Sequence, residues 1–382
     1  MAQFVTPNRI VYGEGALGQA APLMAQMGRR ALVVTDSMMG RLGNLARLER
    51  ALEGVGVSHA VFDGVNSEPV DAMVAEGVRR FEDEGCDFMV ALGGGSPIDT
   101  MKAIAMCVAS GRGVASFMGE PYEGPVCPMA AIPTTAGTGS EATQFTIITD
   151  TVRDIKMLIA GAALMPALAV VDPQFTLTAP ASVTTATGLD ALCHAIESYT
   201  SRKAQPLSET FSLSAARRIF ENLERCVREP GNVEARAQMS LAATEAGIAF
   251  NNASVTLIHG MSRPIGALFH VPHGLSNAML MEACLGFALD GAYDRFAEVA
   301  RYCGLSEAED DQTAARDLMD SLHGLLAKLK VPTLSEFGVE RNAFFEAIPK
   351  MARDAEASGS PANTIKLTTV ADMERLYREV YA

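Results

Sequence analysis

Tryptophan is missing from this 382-residue chain, histidine is scarce at six residues, and positive charge is in deficit, with 31 Lys and Arg against 45 Asp and Glu. The net charge of −14 makes the chain a poor partner for nucleic acid or an anionic membrane. No apolar run reaches membrane-spanning length without charge or proline, so no membrane span is expected. The start, Met1-Ala-Gln-Phe-Val, lacks the basic and apolar regions of a secretory signal. The seven cysteines (Cys86, Cys107, Cys127, Cys193, Cys226, Cys284, Cys303) form no C-x-x-C pair. An odd, unpatterned set points to reduced thiols and a cytoplasmic location. Methionine is abundant at 20, but it fills irregular gaps in a core and carries no functional signal. Internal repeats and low-complexity tracts are absent.

The chain is longer than one core usually supports, which predicts two domains. In the first half, strand and helix patterns alternate. Arg30–Asp36 is a continuous run of β-formers and predicts a buried parallel strand. Asp36 ends it, where open α/β sheets bind ligands; its carboxylate suits a ribose diol, or equally a helix cap. A helix at 42–52, a strand at 58–62, a helix at 70–84 and a strand at 87–92 follow. The last runs into Gly93-Gly94-Gly95-Ser96-Pro97-Ile98-Asp99. Ser96 reads as an N-cap, Pro97 as the first helical turn and Asp99 as the third position of a capping-box-like pattern. Bare glycine N–H groups at a helix start form an anion site, with a pyrophosphate as the expected occupant. An earlier G-x-G-x-x-G match at Gly13, Gly15 and Gly18 lacks a proper buried strand before it and reads better as a turn. The strand at 128–132 leads into Pro133-Thr134-Thr135-Ala136-Gly137-Thr138-Gly139, whose small and hydroxylated residues suit a nicotinamide pocket or a plain turn. A hairpin is expected from 145–148 and 157–159, with Lys156 beside the second strand, and a last strand at 168–171.

Beyond residue 178 helical periodicity takes over, at 183–199, 206–227, 234–250, 290–302, 311–329 and 367–381. The expected architecture is an α/β Rossmann-like dinucleotide-binding domain over 1–178 and an all-α domain over 179–382. The stretch from Asp190 to His273 holds four of the six histidines, His194, His259, His270 and His273. Asp190 and His194 stand four apart, which stacks them on one helix face where they can share a divalent cation. His259 and His273 would close such a site from other segments. One oxygen and three nitrogens suit Fe²⁺ or Zn²⁺ better than Mg²⁺ or Ca²⁺. A D-x-x-x-H pair is also common on helices without any metal. A dinucleotide site and a metal site in one chain imply hydride transfer, the metal lowering the pKa of an alcohol oxygen or polarising an aldehyde.

These motifs together resemble the iron-containing, group III alcohol dehydrogenase family. The resemblance runs from Pro7-Asn-Arg-Ile-Val-Tyr-Gly to the C-terminal helices and is carried by Gly93–Lys102, Pro133–Thr143, Ala186–Glu197, and His259 through Val271-Pro272-His273-Gly274-Leu275-Ser276-Asn277-Ala278. It implies an NAD-dependent, metal-dependent alcohol dehydrogenase or aldehyde reductase, forming a homodimer or larger homo-oligomer. It matches Asp190, His194, His259 and His273 to the metal ligands and Gly94, Gly95, Ser96 and Asp99 to the pyrophosphate loop. Thr134, Thr135 and Thr138 match the nicotinamide-side loop, Asp36 the position favouring NAD over NADP, and Lys156 a lysine near the cofactor.

One departure stands out. Many members read His-x-Met-x-His-Pro where this chain reads His259-Gly260-Met261-Ser262-Arg263-Pro264. Arginine cannot act as a base. A proton route then passes through solvent or His270, and Arg263 is open to binding a substrate carboxylate or sulfonate, a cofactor phosphate or a local carboxylate. Three rival readings remain: a metal-free maleylacetate-reductase type, a zinc polyol dehydrogenase, and a non-catalytic metal-binding protein. The last gives the glycine loop no purpose.

Overall fold

The computed structural model describes residues 3–153 and 155–381. It divides into two compact units, one spanning Val5–Ala179 and one beginning at Pro180.

The first unit is a parallel sheet covered by helices. Its elements are β1 (Arg9–Tyr12), α1 (Ala16–Met24), β2 (Arg30–Thr35), α2 (Ser37–Arg41), α3 (Asn44–Gly54), β3 (Ser58–Phe62), α4 (Asp71–Asp83), β4 (Phe88–Gly93), α5 (Gly95–Ser110), β5 (Met129–Pro133), β6 (Phe145–Asp150), β7 (Ile155–Ala160) and β8 (Leu168–Val171). Six strands pair in the order β1-β8-β5-β4-β2-β3, all parallel, and β6 and β7 form a separate antiparallel hairpin. β4 and β8 are buried along their whole length, as strands covered on both faces must be. Alternation divides their side chains between two cores. Leu32, Val34, Met89 and Ala91 pack with α4 and α5 residues such as Phe81 and Ile104. Ala31, Val33, Val90 and Leu92 pack with α1 and α3 residues such as Leu17 and Leu52.

Register explains why the candidate cofactor segments come together. Thr35 pairs with Leu92, and Gly93 with Pro133. Asp36, the glycine turn and the Thr134–Thr138 loop therefore leave adjacent strands at the same carboxyl edge, where such sheets bind ligands.

The second unit is helical: α6 (Ala181–Tyr199), α7 (Pro206–Arg228), α8 (Val233–Ala253), α9 (Leu257–Phe269), α10 (His273–Ala288), α11 (Tyr293–Tyr302), α12 (Asp311–Lys328), α13 (Leu334–Phe337), α14 (Arg341–Ala357) and α15 (Val370–Glu379). Among the described residues, no helix is long and apolar enough to cross a membrane. α9, α10, α14 and the one-turn α13 lie outside the helices expected from periodicity. α9 and α14 carry internal prolines, Pro264 and Pro349, and α10 is apolar on most sides, so its pattern has little contrast.

Candidate metal centre and cofactor edge

α6 is buried on nearly every side from Gly188 to Tyr199. Polar side chains on such a helix need partners, and Asp190, His194 and Glu197 form one stripe at i, i+4 and i+7. α9 brings in His259 near its start, and α10 begins with His273. Gly274 lets α10 approach this closely, since a Cβ there would lie 2.3 Å from the carbonyl of Ala186 on α6.

Asp190 Oδ1 is the centre of the cluster. It lies 3.5 Å from His259 Nε2, 3.7 Å from His273 Nε2 and 3.9 Å from His194 Nε2. Ligand atoms about 2.0–2.2 Å from a shared first-row cation sit roughly 3.0–3.6 Å apart, so the set needs only a small contraction to close on one. Asp190, His259 and His273 offer atoms that all lie within 4.8 Å of one another. The His194 ring is stacked between Phe250, at 4.2 Å, and His259, at 4.5 Å. Asp190, His194 and His259 are buried, whereas the His273 side chain is 43% exposed and forms the open side.

Charge follows this geometry. Burial alone would raise the Asp190 carboxyl, but the imidazoles of His194, His273 and His259 hold it well below the ordinary carboxylate range. Burial opposes charge on His259, yet Glu197 and Asp190 raise it to about 9. Burial pushes the His273 imidazole down, as do His259, His194 and Arg263, against the pull of Asp190.

Two residues without a sequence-based assignment complete the site. Glu197 Oε1 accepts hydrogen bonds from Thr256 N, Thr256 Oγ1 and Ile258 N, and its Oε2 holds His259 Nδ1. That fixes the ring and turns Nε2 toward Asp190. Asn277, one turn after His273, places its amide nitrogen 2.7 Å from Asp190 Oδ1, 3.1 Å from His259 Nε2 and 3.3 Å from His273 Nε2. Its amide oxygen is buried without a hydrogen bond. Acceptor atoms of Asp190, His259 and His273 that converge on a single amide nitrogen fit a site built for a cation. The polar stripe on a buried helix was a readable signal for Glu197; Asn277 had none beyond its spacing from His273. His270 is exposed in the left-handed C-cap of α9 (φ 54°) and, among the described residues, makes no side-chain hydrogen bond to this cluster.

At the sheet edge, Gly94 is the N-cap of α5 and no side chain caps it. Its first-turn amides stay open to an anion. This corrects the capping pattern expected of Ser96 and Asp99. The Asp99 carboxylate instead accepts from Ser140 Oγ at 2.6 Å and Ile147 N at 3.0 Å, which pulls it off the helix start. Thr135 and Thr138 pack on the glycines; a Cβ at Gly95 would meet Thr138 at 3.0 Å. Lys102, fully buried, donates to Ser140 O and Oγ, Thr143 O and Oγ1, and Phe145 O. Asp99 and Lys102 thereby pin the segment after the threonine loop onto α5. Burial brings Lys102 down to about 8, against the pull of Asp99 and Glu141.

Asp36 caps α2, accepting from Met38 N and Met39 N. Lys156 pairs with Glu68 at 2.6 Å. The Gly13–Gly18 segment is a turn into α1, whose start is already occupied by the Asp172 carboxylate accepting from Leu17 N.

Comparison with known proteins agrees along the whole chain. Residues 7–173 match the family model described as iron-containing alcohol dehydrogenase, and 184–381 match the C-terminal model of the same family. The NAD-dependent methanol dehydrogenase of Bacillus methanolicus is 34% identical over 99% of both chains. A crystal structure of 1,3-propanediol oxidoreductase superposes with a TM-score of 0.96 at 30% identity over 100% of both chains. The sulfoacetaldehyde reductase of Bifidobacterium kashiwanohense in complex with NAD+ gives a TM-score of 0.90 at 28% identity, covering 100% of this chain and 99% of that one.

Proposed function

This chain belongs to the iron-containing alcohol dehydrogenase family, and on that premise we propose that it moves a hydride between the carbon of a small alcohol and NAD, with one divalent cation held by Asp190, His194, His259 and His273. The observation that carries the reading is the convergence of three imidazole nitrogens on Asp190 Oδ1. When bound, a cation there supplies Lewis acidity to the alcohol or aldehyde oxygen.

The residues divide the remaining work. Glu197 holds the Nδ1 proton of His259, so that Nε2 is the nitrogen a cation would take, displacing the proton that Asp190 favours there in its absence. The neutral form favoured at His273 leaves its Nε2 free to ligate. His273, on the exposed side, leaves room for a small substrate to approach. Gly94, Gly95 and Ser96 offer uncapped amides to the pyrophosphate, with Asp99 and Lys102 holding the neighbouring loop so that Thr134, Thr135 and Thr138 line the nicotinamide side. The Asp36 carboxylate would accept a ribose diol and repel a 2′-phosphate. Lys156 and His270 are kept as peripheral candidates for the cofactor and for proton exchange.

Residues 1–178 form the cofactor half in this reading and 179–382 the metal half. Seven free cysteines suit a reducing cytoplasm, and the family resemblance implies a homodimer or larger assembly. Iron is the family's metal; zinc suits the same donors, and a zinc polyol dehydrogenase is the second reading. The four-donor set disfavours the metal-free maleylacetate-reductase type. Candidate substrates include primary alcohols, diols, and hydroxy acids with their semialdehydes.

The test is NADH formation from NAD by purified protein with such a panel, after chelator treatment and after anaerobic return of Fe²⁺ or Zn²⁺. Activity restored by metal is expected. Turnover indifferent to metal would overturn the metal assignment, and no turnover at all would overturn the enzyme reading.

A further inference from the structure

The proposed activity leaves one charged group unused. α9 carries Arg263 one turn after His259, on the same face. The side chain is half-buried. Its Nη1 donates to Ser360 Oγ at 3.0 Å, which is its single hydrogen bond among the described residues, and it makes no ion pair there. Other arginines of this unit find carboxylates, Arg218 with Glu245 and Arg295 with Glu209.

Glu197, whose negative charge acts on Arg263, does not neutralise it by contact. Both Glu197 oxygens are already taken by Thr256, Ile258 and His259. The Arg263 charge in turn reaches the His273 ring. A partly desolvated guanidinium beside the metal ligands, with most of its five N–H donors idle, is costly unless something fills it. A resident dication tips the balance to positive. Asp190 and Glu197 bring two negative charges, whereas Arg263 and the dication bring three positive. What this pocket lacks is one anion, and the planar fork of the guanidinium fits a carboxylate or sulfonate.

Resting on the dehydrogenase reading above, we propose that Arg263 binds the anionic tail of the substrate, so that the alcohols oxidised are short ω-hydroxy acids or hydroxyalkyl sulfonates and the aldehydes reduced are the matching semialdehydes. His259 and Arg263 are four residues apart, about 6 Å along the helix axis. The carbon chain between hydroxyl and anion is accordingly short, on the order of two to four carbons.

The experiment measures kcat/KM of the metal-loaded enzyme for 3-hydroxypropionate and 2-hydroxyethanesulfonate against 1-propanol and ethanol, in the wild type, Arg263→Lys and Arg263→Ala. Alongside it, the shift in Tm caused by each compound without NAD reports binding free of turnover. The wild type should prefer the anionic compounds by roughly 10–100-fold, the range for hydrogen bonds to a charged group. Arg263→Ala should lose that preference, Arg263→Lys should keep part of it, and only the anions should raise the wild-type Tm. Equal losses on both classes in Arg263→Ala, or a wild type without preference and without an anion-specific Tm shift, would overturn the inference. Turnover of neutral alcohols in that second case would leave the dehydrogenase reading standing. An anion-specific Tm shift that depends on Arg263, in a protein that oxidises nothing, would support the anion site and overturn the dehydrogenase reading instead.

Discussion

Replacing Glu197 by glutamine should weaken metal binding without touching a ligand. In the native arrangement Glu197 Oε1 accepts three hydrogen bonds and Oε2 holds His259 Nδ1–H. Glutamine can keep Oε1 as the carbonyl acceptor for Thr256 and Ile258. Its NH₂ then faces His259 Nδ1, so the ring must give up that proton and carry one on Nε2, the nitrogen needed for the metal. Loss of such a supporting contact lowers metal affinity by about 10–100-fold, or about 1.4–2.8 kcal/mol. Alanine is a poorer test, because it strands the buried donors of Thr256 and Ile258 at about 1–3 kcal/mol each and could unfold the site. The assay is anaerobic competition for Zn²⁺ between the protein and a chromogenic chelator, with circular dichroism confirming the fold. Binding by Glu197→Gln within about twofold of the wild type would refute the proposed role of Glu197, since the loss argued for is at least about tenfold.

Three further outcomes follow from the same structure. Lys102 falls from the ordinary lysine value of 10.5 to about 8, so the unfolded chain binds more protons between those values and stability rises with pH across them. Below about pH 8 that contribution is lost; urea unfolding should therefore show the wild type gaining on Lys102→Met from pH 8 to 10, whereas parallel curves would contradict the assignment. Asp36→Ser preserves a cap for α2 and removes the charge, so Tm should stay nearly constant while the NADP/NAD ratio of kcat/KM rises on the order of tenfold; an unchanged ratio would leave Asp36 as a cap alone. Ser140→Ala removes an Asp99 partner and a Lys102 acceptor, and NADH fluorescence titration should show affinity falling several-fold; unaltered affinity would separate this clamp from the cofactor.

Much of the first unit was legible because its strands are continuous apolar runs of β-formers, Arg30–Thr35 and Phe88–Gly93 among them. The Asp190–His194 pair was visible for a related reason: two polar residues one turn apart on an otherwise apolar helix. His259 and His273 were matched to it through the family resemblance, since nothing in their spacing dictates that α9 and α10 converge on α6. Asp99 shows the converse. Its local pattern reads as a helix cap, yet Ser140 and Ile147, more than forty residues on, take its carboxylate. Lys102 is silent in sequence for the same reason, as its acceptors lie in a segment that only the sheet topology brings over α5. α10 escaped because an apolar helix buried on most sides has no polar face to mark its period.

The most direct test of the account is the number of metal ions bound per chain, set against turnover. Wild-type protein, stripped of metal and titrated anaerobically with Fe²⁺, should bind one ion per chain, with alcohol oxidation rising in proportion to occupancy. Asp190→Ala and His259→Ala should bind none at the same concentration and form no NADH, while still binding NADH itself. Full turnover by protein that holds no metal, or by either variant, would contradict the account at its centre.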